Sequence, residues 1–368
     1  MIDFGTAKIA LVGPLPPPQG GMANQTSQLA RLLEGEGAAV NVVQTNVRYQ
    51  PGLIEGVRGV RALFRFVPYL RALRRAARDA TLFHVMANSG WAWHWFAAPA
   101  LYVAHTSDVP VVLNYRGGDA ERFFARSYRA VERSLRWADD VVVPSRFLKE
   151  VFEKFGARAR VVPNIIDLDL FRPSSQGSLN GSGPRVLIAR NLEPIYDIET
   201  GIRAFARLRA SFGEATLDVA GSGPERARLE ALAGELGLTG AVRFLGRVDN
   251  DDMPKLYAAA DIALNTSLVD NMPISLLEAL ASGVPVVSTD VGGVPELVED
   301  AREALLVPPR EPESTAHALV SLWRSPEKRS ALRNAGLKKA RTFGWDVVRA
   351  QWAEVYGDVL ARRHVSDS

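Results

Sequence analysis

Leu268-Val-Asp-Asn-Met-Pro-Ile-Ser-Leu-Leu-Glu-Ala-Leu-Ala-Ser-Gly-Val-Pro-Val-Val-Ser288 reads as a loop, a helix and a strand in succession. Pro273 has a ring-fixed φ and no N–H, which suits the first turn of a helix. That helix is expected to run to about Ser282 and to stop at Gly283, with a strand over Val284–Ser288. Asp270 lies just before the helix and Glu278 in its second turn. The unpaired amides of such a helix start, helped by the helix dipole, suit a phosphate. Glu278 cannot be a phosphate ligand, but a carboxylate suits a ribose diol or a sugar hydroxyl. An amphipathic helix with an exposed Glu and a loop Asp accounts for the same residues.

The same alternation extends along the chain. Short apolar runs occur at Ile9–Gly13, Ala39–Val43, Leu82–Met86, Val109–Leu113, Asp140–Val143 and Ala159–Val162. A second series follows at Val186–Ala189, Thr216–Ala220, Val242–Leu245, Ile262–Leu264, Val284–Ser288 and Ala304–Val307. Continuous apolar strands separated by helices indicate α/β structure with parallel sheets covered on both faces. Two such series are too many for one twisted sheet, so two facing Rossmann-like domains are expected. Their joint is the small, polar run Ser174–Gly183. The division predicted is a first domain over 1–172, a linker over 173–184 and a second domain over 185–344. A helix over 345–368 is expected to cross back to the first domain. Parallel sheets bind ligands beyond the carboxyl ends of their strands, which would place a ligand in a cleft between the two.

Composition narrows the function. The chain has 368 residues, 47% of them hydrophobic and 23% charged, an ordinary balance for a globular protein. It has no cysteine, which excludes disulfides, zinc–thiolate sites and thiol catalysis. The start Met1-Ile-Asp-Phe-Gly shows no basic segment before an apolar core, so no secretory signal is expected and the protein is read as cytoplasmic. Thr81–Ser107 carries no charge, yet Asn88-Ser89-Gly90 and Pro99 interrupt it. A strand, a loop and a buried helix fit it better than a span of ~20 apolar residues. Residues 1–171 carry a net charge of +6 and the remainder −3. Nucleic acid is not the expected partner, because no zinc-finger, RNP-type or lysine-rich pattern is present.

In Val57–Arg78, seven arginines (Arg58, Arg61, Arg65, Arg71, Arg74, Arg75 and Arg78) accompany apolar residues at helical intervals. Trp91, Trp93 and Trp95 follow shortly afterwards. Arginines beside interfacial aromatics predict peripheral contact of the first domain with the anionic inner face of a membrane. A core-packing helix with a solvated arginine face, and tryptophans lining an acceptor pocket, is the competing reading.

The Asp270–Glu278 segment resembles the E-x7-E region of retaining glycosyltransferases of family 4, which have the GT-B fold. The resemblance covers nearly the whole chain. Val12-Gly-Pro-Leu-Pro-Pro-Pro-Gln-Gly-Gly-Met-Ala resembles the family's first strand and glycine loop. Val143-Pro-Ser-Arg-Phe and Val162-Pro-Asn-Ile-Ile-Asp-Leu-Asp-Leu-Phe-Arg-Pro173 resemble the end of its first domain. Ala220-Gly-Ser-Gly-Pro224, Phe244-Leu-Gly246, Tyr257-Ala-Ala-Ala-Asp261 and Asp290-Val-Gly-Gly-Val-Pro-Glu296 resemble successive stations of the second.

The resemblance implies a retaining, metal-independent transfer of sugar from a nucleotide-diphosphate donor to a hydroxyl of a glycan, lipid-linked or other envelope-precursor acceptor. No resident cofactor or metal is implied. By position, Glu278 would hold the donor ribose and amides near Ser275, Leu276 and Leu277 would meet its diphosphate. Asp270 would contact donor-sugar hydroxyls, and Arg190 would stabilise the leaving group. Gly20 and Gly21 would let the backbone approach the donor, while Gly221 and Gly246 would shape the nucleotide side.

The chain departs from the family in three places. Asp270 stands where Glu is usual. No lysine follows Arg190 before Lys255, although the family usually has Lys-Gly a few residues on. Asn114-Tyr-Arg-Gly-Gly-Asp119 stands where many relatives have His-Gly, so Arg116 is the candidate replacement cation. Two rival readings therefore stay open, a non-catalytic sugar-nucleotide-binding or scaffolding protein and a GT-B sugar-nucleotide epimerase. Asp167-Leu-Asp169 and Asp249-Asn-Asp251 match D-x-D but fit a loop and a helix start better than a metal site. Gly221-Ser-Gly223 lacks the third glycine of a dinucleotide fingerprint.

Overall fold

The computed structural model describes residues 3–17, 20–47, 60–173 and 183–366. It divides into one unit of Met1–Pro163 with Asp346–Ser368, and a second of Asn164–Trp345. The first unit runs β1 (Lys8–Gly13), α1 (Gly21–Gly35), β2 (Ala39–Gln44), α2 (Val60–Asp79), β3 (Leu82–Ala87), α3 (Ala98–Thr106), β4 (Val111–Tyr115), α4 (Ala120–Leu135), β5 (Asp140–Val143), α5 (Arg146–Lys154) and β6 (Arg160–Val161). The second begins with β7 (Arg185–Ala189), α6 (Ile198–Ser211), β8 (Thr216–Ala220), α7 (Arg226–Glu235), β9 (Val242–Gly246), α8 (Met253–Ala259) and β10 (Ile262–Asn265). It continues with α9 (Ile274–Ala281), β11 (Val286–Thr289), α10 (Val294–Leu297), β12 (Ala304–Val307), α11 (Pro312–Arg324) and α12 (Pro326–Arg341). Last comes α13 (Trp345–Ser366).

Each unit is built on a six-stranded parallel sheet, ordered β2-β1-β3-β4-β5-β6 in the first and β12-β11-β10-β7-β8-β9 in the second. β3 and β4 are buried along their whole length, whereas the edge strand β2 alternates. This is the pattern of a sheet covered on both faces at its centre and less at its rim. In the first unit, Ala10, Val12, Phe83, Val85, Val111 and Leu113 share one core with the inner sides of α2, α3 and α4. The alternate strand residues face the other way.

On that opposite face stands His84, fully buried in β3. Its Nδ1 lies 2.7 Å from the Tyr356 hydroxyl of α13, and Asn114 Nδ2 is 3.1 Å from its Nε2. Burial pushes the imidazole down to about 3, so it is neutral. An amide N–H can only donate, so Nε2 accepts and the Nδ1 proton goes to Tyr356. Trp352 and Tyr356 are also fully buried. Asp358 pairs with Arg160 at 2.6 Å, and Arg349 pairs with Glu36. The C-terminal helix is thus an integral part of the first unit.

The domain boundary needs correction. Residues 164–171 do not belong to the first unit as expected. Asn164 Nδ2 donates to Met272 O at 2.8 Å and Ile166 N to Phe343 O at 3.0 Å. Ile166 and Phe171 are buried in the core of the second unit. The first sheet ends at β6 and offers these side chains no strand to cover, so their burial is satisfied elsewhere. Most of the expected linker, 174–182, lies outside the described residues. Among the described residues no helix is long and apolar enough to cross a membrane.

Candidate active site

In the second sheet the connections reverse direction between β7 and β10, a topological switch point where a crevice opens beyond the strand ends. Arg190 directly follows β7, and the loop after β10 carries Asp270. Their side chains form an ion pair, 13% and 12% exposed respectively. Arg190 Nε also donates to Asn265 Oδ1 at 3.0 Å, and its guanidinium lies 4.8 Å from the Tyr196 ring centroid. Ser267 Oγ donates to the same Asn265 oxygen at 2.8 Å. Burial lowers the Arg190 pKa, while Tyr196, Tyr257 and Glu278 pull it up. The cation is held at a fixed place before any ligand arrives.

Gly221 explains how the strand ends come this close. A Cβ there would stand 1.9 Å from Arg190 O, so only glycine lets the loop after β8 lie on the Arg190 backbone. Gly221 N donates to Gly246 O at 2.8 Å, joining the two predicted glycines.

Helix α9 starts one residue later than expected, with Pro273 as its cap residue in extended geometry. Leu276 N and Leu277 N already bond Pro273 O, at 3.2 and 3.5 Å. The amides of Ile274 and Ser275 have no partner among the described residues, so of the expected 275–277 run only Ser275 is open, and the pair of open donors begins one residue earlier because the first turn already engages Leu276 and Leu277. Gly283, at φ +69, stops the helix as expected.

Glu278 is buried rather than exposed. The Tyr257 hydroxyl lies 2.9 Å from its Oε2 and 3.1 Å from Ser275 O. One hydroxyl proton faces two acceptors. When the hydroxyl donates to the Glu278 carboxylate it favours the charged form of that group. Burial pushes Glu278 up to about 7, against the opposing pull of Tyr257 and Arg190. The carboxyl therefore changes charge near neutrality.

The first sheet has its own switch point, between β1 and β3. Gly20 caps α1 and faces open space, and Gly21 is the first helical residue. Arg116 follows β4, with its amide bonded to Ala87 O at 2.9 Å and Nη1 3.4 Å from Gln25 Oε1 of α1. Burial lowers Arg116 to about 10, which leaves it a cation at neutral pH. Gly20, Gly21, Gln25 and Arg116 are thus grouped at one end of this sheet.

Residues 19–170 match the model described as Glycosyltransferase Family 4, and residues 174–339 that described as Glycosyl transferases group 1. A D-inositol 3-phosphate glycosyltransferase of Salinispora tropica is 30% identical over 325 residues, spanning 80% of this chain and 67% of that protein. The chain belongs to glycosyltransferase family 4. Sucrose-phosphate synthase from Thermosynechococcus elongatus superposes with a TM-score of 0.77 at 21% identity, over 96% of this chain and 100% of that one. Anabaena HepE in complex with UDP does so with 0.74 at 20% identity, over 95% and 100%. These likenesses establish the GT-B fold of two Rossmann-like domains for this family-4 member.

Some residues around this glycosyltransferase's site were given no role from sequence, although Tyr257 opens one of the family-like stations. Tyr257, Asn265, Ser267 and Tyr196 orient Glu278 and Arg190 in the second unit, and Gln25 contacts Arg116 in the first. Asn265 carried a readable signal, a polar residue closing the apolar run Ile262–Leu264. Of the D-x-D pairs, Asp167 Oδ1 accepts the amides of Asp169 and Leu170 at 3.0 Å, a turn-capping role. Asp249 O accepts the amides of Asp252 and Met253 at the start of α8.

Proposed function

We propose that this chain transfers a glycosyl group, with retention and without a metal, from a nucleoside-diphosphate sugar to a hydroxyl of a glycan, lipid-linked or other envelope-precursor acceptor. The observation that carries the reading is the preset Arg190 guanidinium at the switch point beside the open amides of α9. A leaving nucleoside diphosphate gains negative charge, and fixed donors in a partly buried site stabilise it without reorganising. Glu278, once ionised, is an acceptor for a ribose diol. Asp270 pairs with Arg190, so a diphosphate at this guanidinium would compete with that carboxylate. Relatives named D-inositol 3-phosphate glycosyltransferase and a neighbour solved with UDP support a nucleotide-sugar donor and a hydroxyl acceptor. The donor acts as co-substrate, and the reaction needs no resident cofactor.

A panel of UDP-, GDP-, ADP- and dTDP-sugars, read by thermal shift and by slow donor hydrolysis, tests this reading. One donor class should both stabilise the protein and turn over. Binding without turnover on water or any acceptor would favour a scaffolding role, to which the absent lysine after Arg190 also points.

A further inference from the structure

Helices α2, α3 and α4 lie side by side over one face of the first sheet, with their inner sides in a common core. Their outer sides carry an unusual charge pattern. On α4, Arg122, Arg126, Arg129 and Arg133 recur at steps of three and four and are all exposed. Residues so spaced form one stripe along a helix. On α2, Arg71, Arg74, Arg75 and Arg78 are likewise exposed. Among the described residues none of these eight has an ion pair. The acids of α4 are engaged elsewhere, Glu121 with Lys154 and Glu132 with Arg136. Exposed Asp79 and Asp119, at the helix ends, are the nearest carboxylates left over.

Aromatic side chains stand between the two stripes. Trp91 is 77% exposed, Tyr102 50% and Trp95 40%. Trp95 packs edge-on against Phe66 of α2 at 5.3 Å. Trp91 reaches α4 through His94, which contacts Phe123 at 6.0 Å. Tyr102 lies 5.2 Å from Trp137, just past the end of α4. Trp93 differs, being fully buried with its indole N–H on Ser134 Oγ at 3.0 Å. Arg58 and the side chains of Arg61, Leu63 and Arg65 lie outside the described residues.

We propose that this outer face of α2, α3 and α4 docks on an anionic lipid bilayer. Eight guanidiniums without an ion pair among the described residues, on the two helices flanking α3, match a plane of lipid phosphates, and a solvated face needs no such excess of one sign. Exposed indoles and a phenol among them suit the headgroup region, where an amphipathic ring keeps its polar end wet. A soluble polyanion would be met by the same arginines but gives the tryptophans no apolar layer to enter. Trp91 also sits at the carboxyl-end rim of the sheet, just beyond β3, so docking would bring the membrane surface next to the end of the unit that carries Gly20 and Arg116.

Full-length protein is sedimented with phosphatidylcholine vesicles, with and without phosphatidylglycerol, at low and high salt. The wild type should bind only the anionic vesicles, at low salt, with Trp91-dependent blue-shifted emission. R122Q/R126Q/R129Q/R133Q and R71Q/R74Q/R75Q/R78Q should each lower the bound fraction about tenfold or more. W91A should bind more weakly and lose most of the emission shift. All three should keep the wild-type melting temperature and donor affinity. Equal binding to neutral vesicles, or both quadruple variants binding like wild type, would overturn the proposal. So would tight binding to long-chain polyphosphate with no shift in emission on vesicles, which would assign the face to a soluble polyanion.

Discussion

The ionisable groups of the two units are arranged in opposite ways. In the second unit the critical charges are answered from within. Arg190 is paired with Asp270 and braced by Asn265, and Glu278 accepts from the Tyr257 hydroxyl. In the first unit a stripe of exposed arginines on α4 and another on α2 has no ion pair among the described residues. Buried charges must be compensated inside the fold, because desolvation of a lone ion costs several kcal/mol. Exposed ones carry no such cost and remain available to an outside partner. One unit therefore fixes its buried charges by internal pairing, and the other leaves charge exposed at its surface.

The largest expected effect tests the internally paired unit. R190A should lower turnover by roughly a hundredfold or more, the scale for removing one donor that stabilises developing charge. Steady-state kinetics with saturating donor would show it, and near-normal turnover would mean the Arg190–Asp270 pair is structural only.

Next comes Glu278, where two effects share one cause. E278Q keeps the shape and loses the charge, so donor affinity should fall roughly ten- to a hundredfold at pH 8. Burial pushes Glu278 up to about 7 and so favours its neutral form below that pH; donor affinity should therefore fall as pH drops through that value, and E278Q should flatten the dependence. Stability runs the other way. The folded pKa is raised from 4.5 to about 7, so Glu278 stabilises most below its unfolded value and that contribution is lost as pH rises through 7. Melting temperatures of E278Q and wild type should therefore diverge in favour of Gln as pH rises from 5 to 8. Calorimetric titration with the nucleoside diphosphate across pH checks the first effect and thermal melts the second.

R116A probes the other sheet's switch point. If Arg116 supplies the second cation toward the diphosphate, turnover should drop by tens-fold while nucleotide affinity changes only a few-fold. A loss confined to affinity would place Arg116 in ground-state binding instead. The smallest effect is expected from Y257F, which removes the hydroxyl that lowers the Glu278 pKa. The pH midpoint of donor binding should move upward, with affinity above the new midpoint nearly unchanged. No movement would show that Tyr257 does not govern that proton.

How much of this was legible in sequence depends on the distance over which each feature is determined. Helix α9 and its stop at Gly283 rest on local backbone preferences, and the quoted stretch displays them directly. Arg190, Asp270 and Glu278 were assigned their roles by position within the family resemblance, Arg190 just after a strand, Asp270 in a loop and Glu278 in the second turn of a helix. The pairing of Arg190 with Asp270 could not be read, since 80 residues separate them in the chain. Nor could the burial of Glu278, because an amphipathic pattern does not say which neighbour closes over a given face. The arginines of α4 were hidden by a different cause. Glu121 and Glu132 offset half of them in a linear count, and although Glu132 is taken by Arg136 one turn on, it needs the tertiary contact with Lys154 to draw Glu121 away.

The sequence by itself determined what depends on short range: apolar runs that can only be buried strands, glycines and prolines that end helices, and the order of stations along two parallel sheets. Tertiary structure alone decided which charges meet and which stay open. It assigned residues 164–171 to the second unit, and it set the contacts that hold α13, whose return to the first unit was expected from sequence, with His84 and Tyr356 finding each other across 272 positions. It also turned Trp93 inward and left Trp91 in solvent. The physical reason is common to all of these. Burial and charge compensation depend on what lies within a few ångströms in space, and a chain specifies those neighbours only once its sheets have formed.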